Sequence, residues 1–529
     1  MKIQLVIPMS GIGKRFKDAG YTTPKPLIKI RGKEIINHVV NMFGEIERVI
    51  FICNEEHLHD KKLNLSKILS NLHPKTTVVS IKPHKKGPIH AVLEAESILE
   101  SLKPTIVNYC DFNSFFNFPN FINHLKKDQP DGCVFTYTGF HPHMLKNTNY
   151  AYVKKYKNSV VDIQEKKPFT ENPMNEEVSS GTYYFKSAKL MLKYFKKAIL
   201  LDLKVNGEFY VSMAYKPMIK DGLKIKTFLI NYFMQWGTPS DLEDFKWYSN
   251  VFKNIIKKKN NHKNIYEGCL LMPMAGEGSR FREKGYKIPK PFIKISGSEM
   301  YIKAIKDLPR MENIKIVTTE KLIKNKKPFF NIKDKKLNIS IKSLKTKPEG
   351  QACTSLKAFE DNSINLEKPL IISACDMGII FDEKKYQKLI ALQDIDILVW
   401  GCKGYPGAQQ KPNMYSWIYK NKNENYISNI SVKKNLFNPR EDYVLIGTFT
   451  FKKAKYFVQS AELSIACGEK VNGEYYVDNV INKSIEIGLK VAIFEVDYFI
   501  CWGTPNELET YNYWESCFKK WTDHPYMKR

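Results

Sequence analysis

A chain of 529 residues, 43% of them hydrophobic and 13% aromatic, is too long for one compact core and too apolar for a disordered protein. Its formal charge of +28 suits solvated lysine faces, attraction of polyanionic small molecules, or nucleic acid, but no helix-turn-helix, zinc-finger or RNA-recognition pattern supports the last. No apolar run approaches the ~20 residues of a membrane span, Ile3 to Met9 is too short for a signal peptide, and ten cysteines without a CxxC pair predict reduced thiols in a cytoplasmic protein.

In chain order, "KIQLVIP", "RVIFICN", "TTVVSIK" and "PTIVNYC" predict buried strands, and "KEIINHVVNMF" and "PIHAVLEAESILESL" predict amphipathic helices between them. The alternation predicts an α/β domain, a mostly parallel sheet with helices on both faces. Ligands of such sheets bind beyond the carboxyl ends of the strands.

The pattern then starts again. "MSGIGKRFKDAGYTTPKPLIKI" returns as "MAGEGSRFREKGYKIPKPFIKI", so Gly11 matches Gly276, Arg15 matches Arg280 and Lys25 matches Lys290 at one constant spacing. Further on, "VNYCDFN" pairs with "ISACDMG", "QEKKP" with "SVKKN", "KVNGEFYV" with "KVNGEYYV" and "FMQWGTP" with "FICWGTP". Preserved order and spacing predict a duplicated domain, copy one at 1–252 and copy two at 265–529, joined by the polar stretch 253–264. The two copies are expected to pack as a pseudo-dimer.

Each copy opens with a glycine loop after a strand. Gly11 and Gly13, like Gly276 and Gly278, allow a tight turn and close backbone approach to a ligand. Successive N–H groups there suit an anion, with Lys14 and Arg15, or Ser279 and Arg280, beside them. Lys25 and Lys290 each stand between two prolines that stiffen the backbone. A lone GxG is an ordinary strand–helix turn; GxGxRF followed by PKP, twice, predicts phosphate binding. Asp111 and Asp376 follow apolar strands, where an aspartate serves as a turn cap or as a Mg²⁺ ligand facing the phosphates. The repetition favours the metal.

With "GIGKRF", "TPKPL", "VNYCDF", "GFHPHML" and "WGTP", the chain resembles the nucleotidyltransferase (pyrophosphorylase) superfamily, in particular its capsule and lipopolysaccharide members. The resemblance covers nearly the whole chain, once per copy. It implies two tandem GT-A-like, Rossmann-like domains and condensation of a nucleoside triphosphate with a phosphomonoester, releasing pyrophosphate. It assigns Arg15 and Arg280 to the β- and γ-phosphates, Lys25 and Lys290 to the α-phosphate, and Mg²⁺ to Asp111 and Asp376. Lys166 and Lys433 would bind the acceptor phosphate, and Glu208 and Glu474 its hydroxyls, unless those glutamates merely begin surface helices. The loops at Gly87, and at Gly350 and Gln351, would read a base, with pyrimidines favoured.

The copies diverge. Where many relatives carry a second metal-binding aspartate, this chain has Gln235 and Cys501. Asp478 and Asp497 are substitutes in copy two, where copy one has Ser212 and Asn231. Copy two has Val432 for Glu165 and Asn435 for Pro168. His141 and His143 form an HxH pair without a third zinc ligand, so acceptor contacts or a pinned loop are expected. Alternatives are a CDP-polyol or choline-type enzyme with one degraded copy, a GT-A glycosyltransferase, which usually wants a DxD-type pair, and a nucleotide sensor without turnover.

Overall fold

A computed structural model describes residues 1–257, 264–324, 338–420, 426–433 and 438–528. Most of the expected linker, 258–263, and Asn435 lie outside these residues. The chain divides into two compact units, Met1–Lys246 with Ser516–Lys528, and Trp247–Glu515.

Among the described residues each unit holds a nine-stranded mixed sheet flanked by helices, the two tandem Rossmann-like domains of the sequence reading. In the first, the strands lie in the order Thr76–Ile81, Arg48–Asn54, Gln4–Met9, Thr105–Asn108, Glu177–Phe185, Gly132–Tyr137, Ile225–Leu229. The first four run parallel, and Glu177–Phe185 is antiparallel to both neighbours. The hairpin of Ala151–Tyr156 and Ser159–Glu165 joins on Glu177–Phe185. The second unit repeats this order as Asn338–Leu344, Arg310–Thr319, Ile265–Met274, Leu370–Ser373, Tyr443–Phe451, Ile397–Cys402, Val491–Glu495. Its hairpin, Trp417–Lys420 with Ile427–Ser431, joins on Tyr443–Phe451.

The central strands are buried on both faces, which is why they read as continuous apolar runs rather than alternating ones. Leu5, Val6 and Ile7 are all fully buried, as are Leu370, Ile371 and Ile372. The last helix of the first copy, Pro239–Lys257, counts with the first unit through Lys246 and with the second from Trp247. The chain end, in turn, completes the first unit, where Phe518, Trp521 and His524 are buried. Among the described residues no helix is long and apolar enough to cross a membrane.

Candidate active site

The glycine loop opens a cleft in the first unit. Gly13 adopts φ 69°, a left-handed conformation that glycine enters at little cost, and begins the short helix Lys14–Asp18; Gly278 does the same at φ 62° before Ser279–Glu283. The "TPKP" segment follows as a single tight turn, Lys25–Leu27, whose Leu27 N–H donates to the Pro24 carbonyl at 2.9 Å. That turn aims Lys25 at the end of the Thr105–Asn108 strand. Its Nζ donates to Asp111 Oδ2 at 2.7 Å, and both side chains are about four-fifths covered. In the second unit Lys290 Nζ donates to Asp376 Oδ2 and, at 3.1 Å, to the Gly503 carbonyl. Burial pulls down the pKa of each lysine, yet its aspartate more than offsets this and the net shift is upward. Asp376 is lowered on balance: burial raises it, and Lys290 outweighs that.

The "WGTP" turn closes the other side of the aspartate. Antiparallel pairing of Tyr232–Gln235 with Phe112–Phe115 brings it there, and the Trp236 N–H donates to the Asp111 carbonyl at 3.0 Å. Trp502 and Asp376 make the same bond at 2.8 Å. A Cβ on Gly237 would stand 2.9 Å from Asp111 Oδ2, so a side chain there would push on the carboxylate.

Gly11, Gly13, Lys25, Gly87, Asp111 and Glu208 all line one cavity of about 460 Å³. Lys14 and Arg15 are exposed on the helix after the loop and do not line it, although the charge of Arg15 reaches Lys25 and Tyr210. Arg280 and Ser279 are likewise exposed. The base loop is stitched to the "NGE" segment by its backbone. The Phe209 N–H donates to the Lys86 carbonyl at 2.9 Å and the Ile89 N–H to the Phe209 carbonyl at 3.2 Å. Around Gly350 and Gln351, Tyr475 N–H to Glu349 and Ala352 N–H to Tyr475 repeat the pattern at 2.8 and 3.0 Å.

Glu208 and Glu474 do not start helices. Each ends a tight turn in which Asn206 and Gly207, or Asn472 and Gly473, are left-handed, the Asn-Gly signature of a two-residue turn. Tyr210 was not singled out by the sequence reading, although it stands in the repeated "NGEFY" stretch. It lines the cavity, accepts from Lys166 Nζ at 2.6 Å and donates to Glu208. In the second unit Lys433 Nζ donates instead to the Met414 carbonyl at 2.8 Å, and Glu474 pairs with Lys347 at 3.0 Å. His141 and His143 are buried beside Tyr137, with His143 Nε2 2.9 Å from the Tyr137 hydroxyl; burial holds both imidazoles well below their usual pKa, that of His141 at about 4. They pin the loop.

The donors beside each aspartate decide what cation fits. Among the described residues the buried Gln235 Oε1 has no hydrogen-bond partner, and a Cβ on Gly237 would stand 2.9 Å from Asp111 Oδ2 and 3.4 Å from the Gln235 amide. A carboxylate and an amide oxygen are hard donors of the kind a divalent cation takes together with phosphates and water. In the second unit Cys501 stands in place of Gln235, and burial keeps its thiol protonated, so Asp376 is the hard donor. Asp478 is held by Ser416 at 2.6 Å, and the Asp497 N–H donates to the Ile380 carbonyl at 2.9 Å. Among the described residues no three His, Cys, Asp or Glu side chains gather at a metal-binding spacing.

The family described as "Nucleotidyl transferase" matches residues 5–222. The chain is 24% identical over 276 residues to the bifunctional protein GlmU of Clostridium tetani, covering 50% of this chain and 55% of that protein. It is 24% identical over 279 residues to GlmU of Methanocaldococcus jannaschii, covering 50% and 59%. The chain thus spans a little over half the length of these relatives. Among solved structures, a nucleoside-diphosphate-sugar pyrophosphorylase of Vibrio cholerae aligns at TM-score 0.38 and 22% identity, over 45% of this chain and 98% of that one. An inositol-1-phosphate CTP transferase of T. maritima aligns at 0.37 and 17%, over 48% and 96%.

Proposed function

We propose that this chain, which belongs to the nucleotidyltransferase superfamily, joins a nucleoside triphosphate to a phosphomonoester in each of its halves. An oxygen of the acceptor's phosphate attacks the α-phosphorus, a new P–O–P bridge forms, and the bond to the β-phosphate breaks to release pyrophosphate. The attacking group has a second pKa of about 6 and is already anionic near neutrality, so no general base is needed. What remains is to hold two polyanions together and to stabilise charge on the departing pyrophosphate. Lys25 and Lys290 face the α-phosphate, Arg15 and Arg280 swing from the exposed helix onto the β- and γ-phosphates, and the glycine loops admit the chain of phosphates. Asp111 with Gln235, and Asp376, would hold Mg²⁺, which screens phosphate charge when bound. Lys166 and Lys433 take the acceptor phosphate, Glu208 and Glu474 its hydroxyls, and the loops at Gly87, Gly350 and Gln351 a pyrimidine base.

One observation carries this reading: a proline-braced lysine paired with a strand-end aspartate opposite a glycine loop, built twice in one chain. The finer proposal is an activated precursor for a surface polysaccharide, made in the cytoplasm, where the ten free cysteines stay reduced. Pyrophosphate release across CTP, UTP, GTP, ATP and dTTP with a panel of sugar phosphates and phospho-alcohols tests it. Release that needs both substrates is expected. Free NDP without pyrophosphate points to a glycosyltransferase, and nucleotide binding without turnover to a sensor.

A further inference from the structure

The "WGTP" turn of the first unit is backed by residues from the far end of the chain. Trp236 is fully buried, and its ring meets that of His38 edge-on at 5.7 Å and that of Trp521 at 6.3 Å. His38, on the helix Ile35–Asn41, lies with Nε2 2.9 Å from the Ile30 carbonyl and Nδ1 3.3 Å from Asp523 Oδ2. Asp523 also accepts from Lys33 Nζ at 3.0 Å. Trp521 and Asp523 count with the first unit, yet in the sequence they stand at the end of the second copy.

The second unit builds a comparable pair from one helix. The repeat sets Lys303 against His38, and Lys303 Nζ donates at 2.8 Å to both oxygens of Asp307, the residue that caps the helix Met300–Lys306. Asp307 is buried and lies beside the equivalent tryptophan: a Cβ on Gly378 would stand 3.1 Å from Asp307 Oδ2 and 2.9 Å from the Trp502 ring. In the first copy the residue that matches Asp307 is Met42. The first unit therefore has no acid at this place in its own helix and takes one from the chain end. A largely buried charge pair rarely gains over an apolar filling of the same volume, so packing alone gives no reason to build it twice, by two routes.

We propose that Asp523, through His38 and with Trp521, positions the reaction centre of the first half: the chain end holds Trp236, and Trp236 holds its neighbours Gln235 and Gly237 against Asp111. The link from Trp236 to the centre is short. Its N–H donates to the Asp111 carbonyl at 3.0 Å, and a Cβ on the next residue, Gly237, would stand 2.9 Å from Asp111 Oδ2. The second half carries its support within its own copy, so loss of Asp523 disturbs the first half alone. The inference rests on the proposed reading of Asp111 and the "WGTP" turn as part of a transferase centre.

The test uses the full chain with Asp523→Ala and, as a milder change that keeps an aromatic ring, Trp521→Phe. Hydrogen exchange of the Trp236 amide, followed by mass spectrometry, reads the turn without any substrate. It should speed up about tenfold in Asp523→Ala, and less in Trp521→Phe, while amides of the Gln4–Met9 strand keep their wild-type rates. In a Lys290→Ala background, which silences the second half, Asp523→Ala should lower kcat for pyrophosphate release about tenfold and leave KM for the nucleotide unchanged, the mark of a misplaced centre rather than a lost binding contact. Adding His38→Lys and Met42→Asp, the second half's arrangement, to Asp523→Ala should restore both readouts. Unchanged exchange at Trp236 in both single variants overturns the proposal, and so does a strand that loosens together with the turn, which would make the chain end a prop for the whole unit. An active enzyme whose kcat ignores Asp523→Ala, or a folded H38K/M42D/D523A chain without recovery, overturns it too. Should exchange respond as expected while the wild type releases no pyrophosphate with any substrate, the support of the turn stands and the transferase reading falls alone.

Discussion

Asp111 and Asp376 each turn a carboxylate toward a lysine and the glycine of "WGTP", while their backbone carbonyls accept from a tryptophan N–H. Replacing either by asparagine keeps the shape and removes the charge that balances the lysine and, on the proposed reading, would hold a cation. Asp111→Asn and Asp376→Asn, made separately, should each lower one of two distinct activities by about 10²–10³-fold, the usual cost of losing a charge-stabilising group. Pyrophosphate release from each variant checks this, and an unchanged rate in both would sink the metal assignment. Glu165 gives a second prediction. Its folded pKa, about 7, lies above its ordinary 4.5, so the fold favours the protonated acid. That contribution is complete below pH 4.5 and is lost as pH rises through 7, amounting to roughly 3 kcal/mol. Glu165→Gln should therefore flatten the fall in stability across this window, as read from denaturant unfolding at several pH values.

Among the elements, the loops at Gly87 and Gly350 leave no room for a side chain. At Gly87 a Cβ would lie 2.6 Å from the Phe209 nitrogen and 2.7 Å from its carbonyl oxygen, at φ 92°; at Gly350 the clash is with Tyr475, 2.5 Å on both atoms. Neither neighbour is a side-chain tip that can turn aside, because both are backbone already bonded to the loop. Gly87→Ala and Gly350→Ala should each destabilise their own unit by about 2–4 kcal/mol, from overpacking and a strained φ together. Thermal unfolding measures it, and a wild-type melting profile would show the stitching to be loose. The sequence showed these glycines twice but linked them to a ligand; their tie to "NGEFY" joins residues far apart in the chain. Tyr210 escaped notice for the same reason. A tyrosine after an Asn-Gly turn has no pattern of its own until Lys166 is folded against it.

Across the whole molecule, the chain's end belongs to the unit that its beginning starts. In that unit Trp521 packs at ring-centroid distances of 5.4 Å from His38, 5.7 Å from Phe245 and 6.3 Å from Trp236, while Asp523 pairs with Lys33 at 3.0 Å. Trp521→Ala should destabilise the first unit by about 3–5 kcal/mol, the range for a buried tryptophan. Proteolysis should then open residues 1–246 first, and equal resistance to the wild type would contradict the assignment. The sequence by itself determined the duplication, the apolar strands along each copy and the glycine loops, because these depend on local φ preferences, on runs of apolar residues and on a pattern present twice. Only the tertiary structure decided that the "PKP" lysine pairs with the strand-end aspartate, that Lys166 reaches Tyr210, and that Trp521 completes the first unit. Each of those rests on contacts between segments distant in the chain, and no local propensity encodes them.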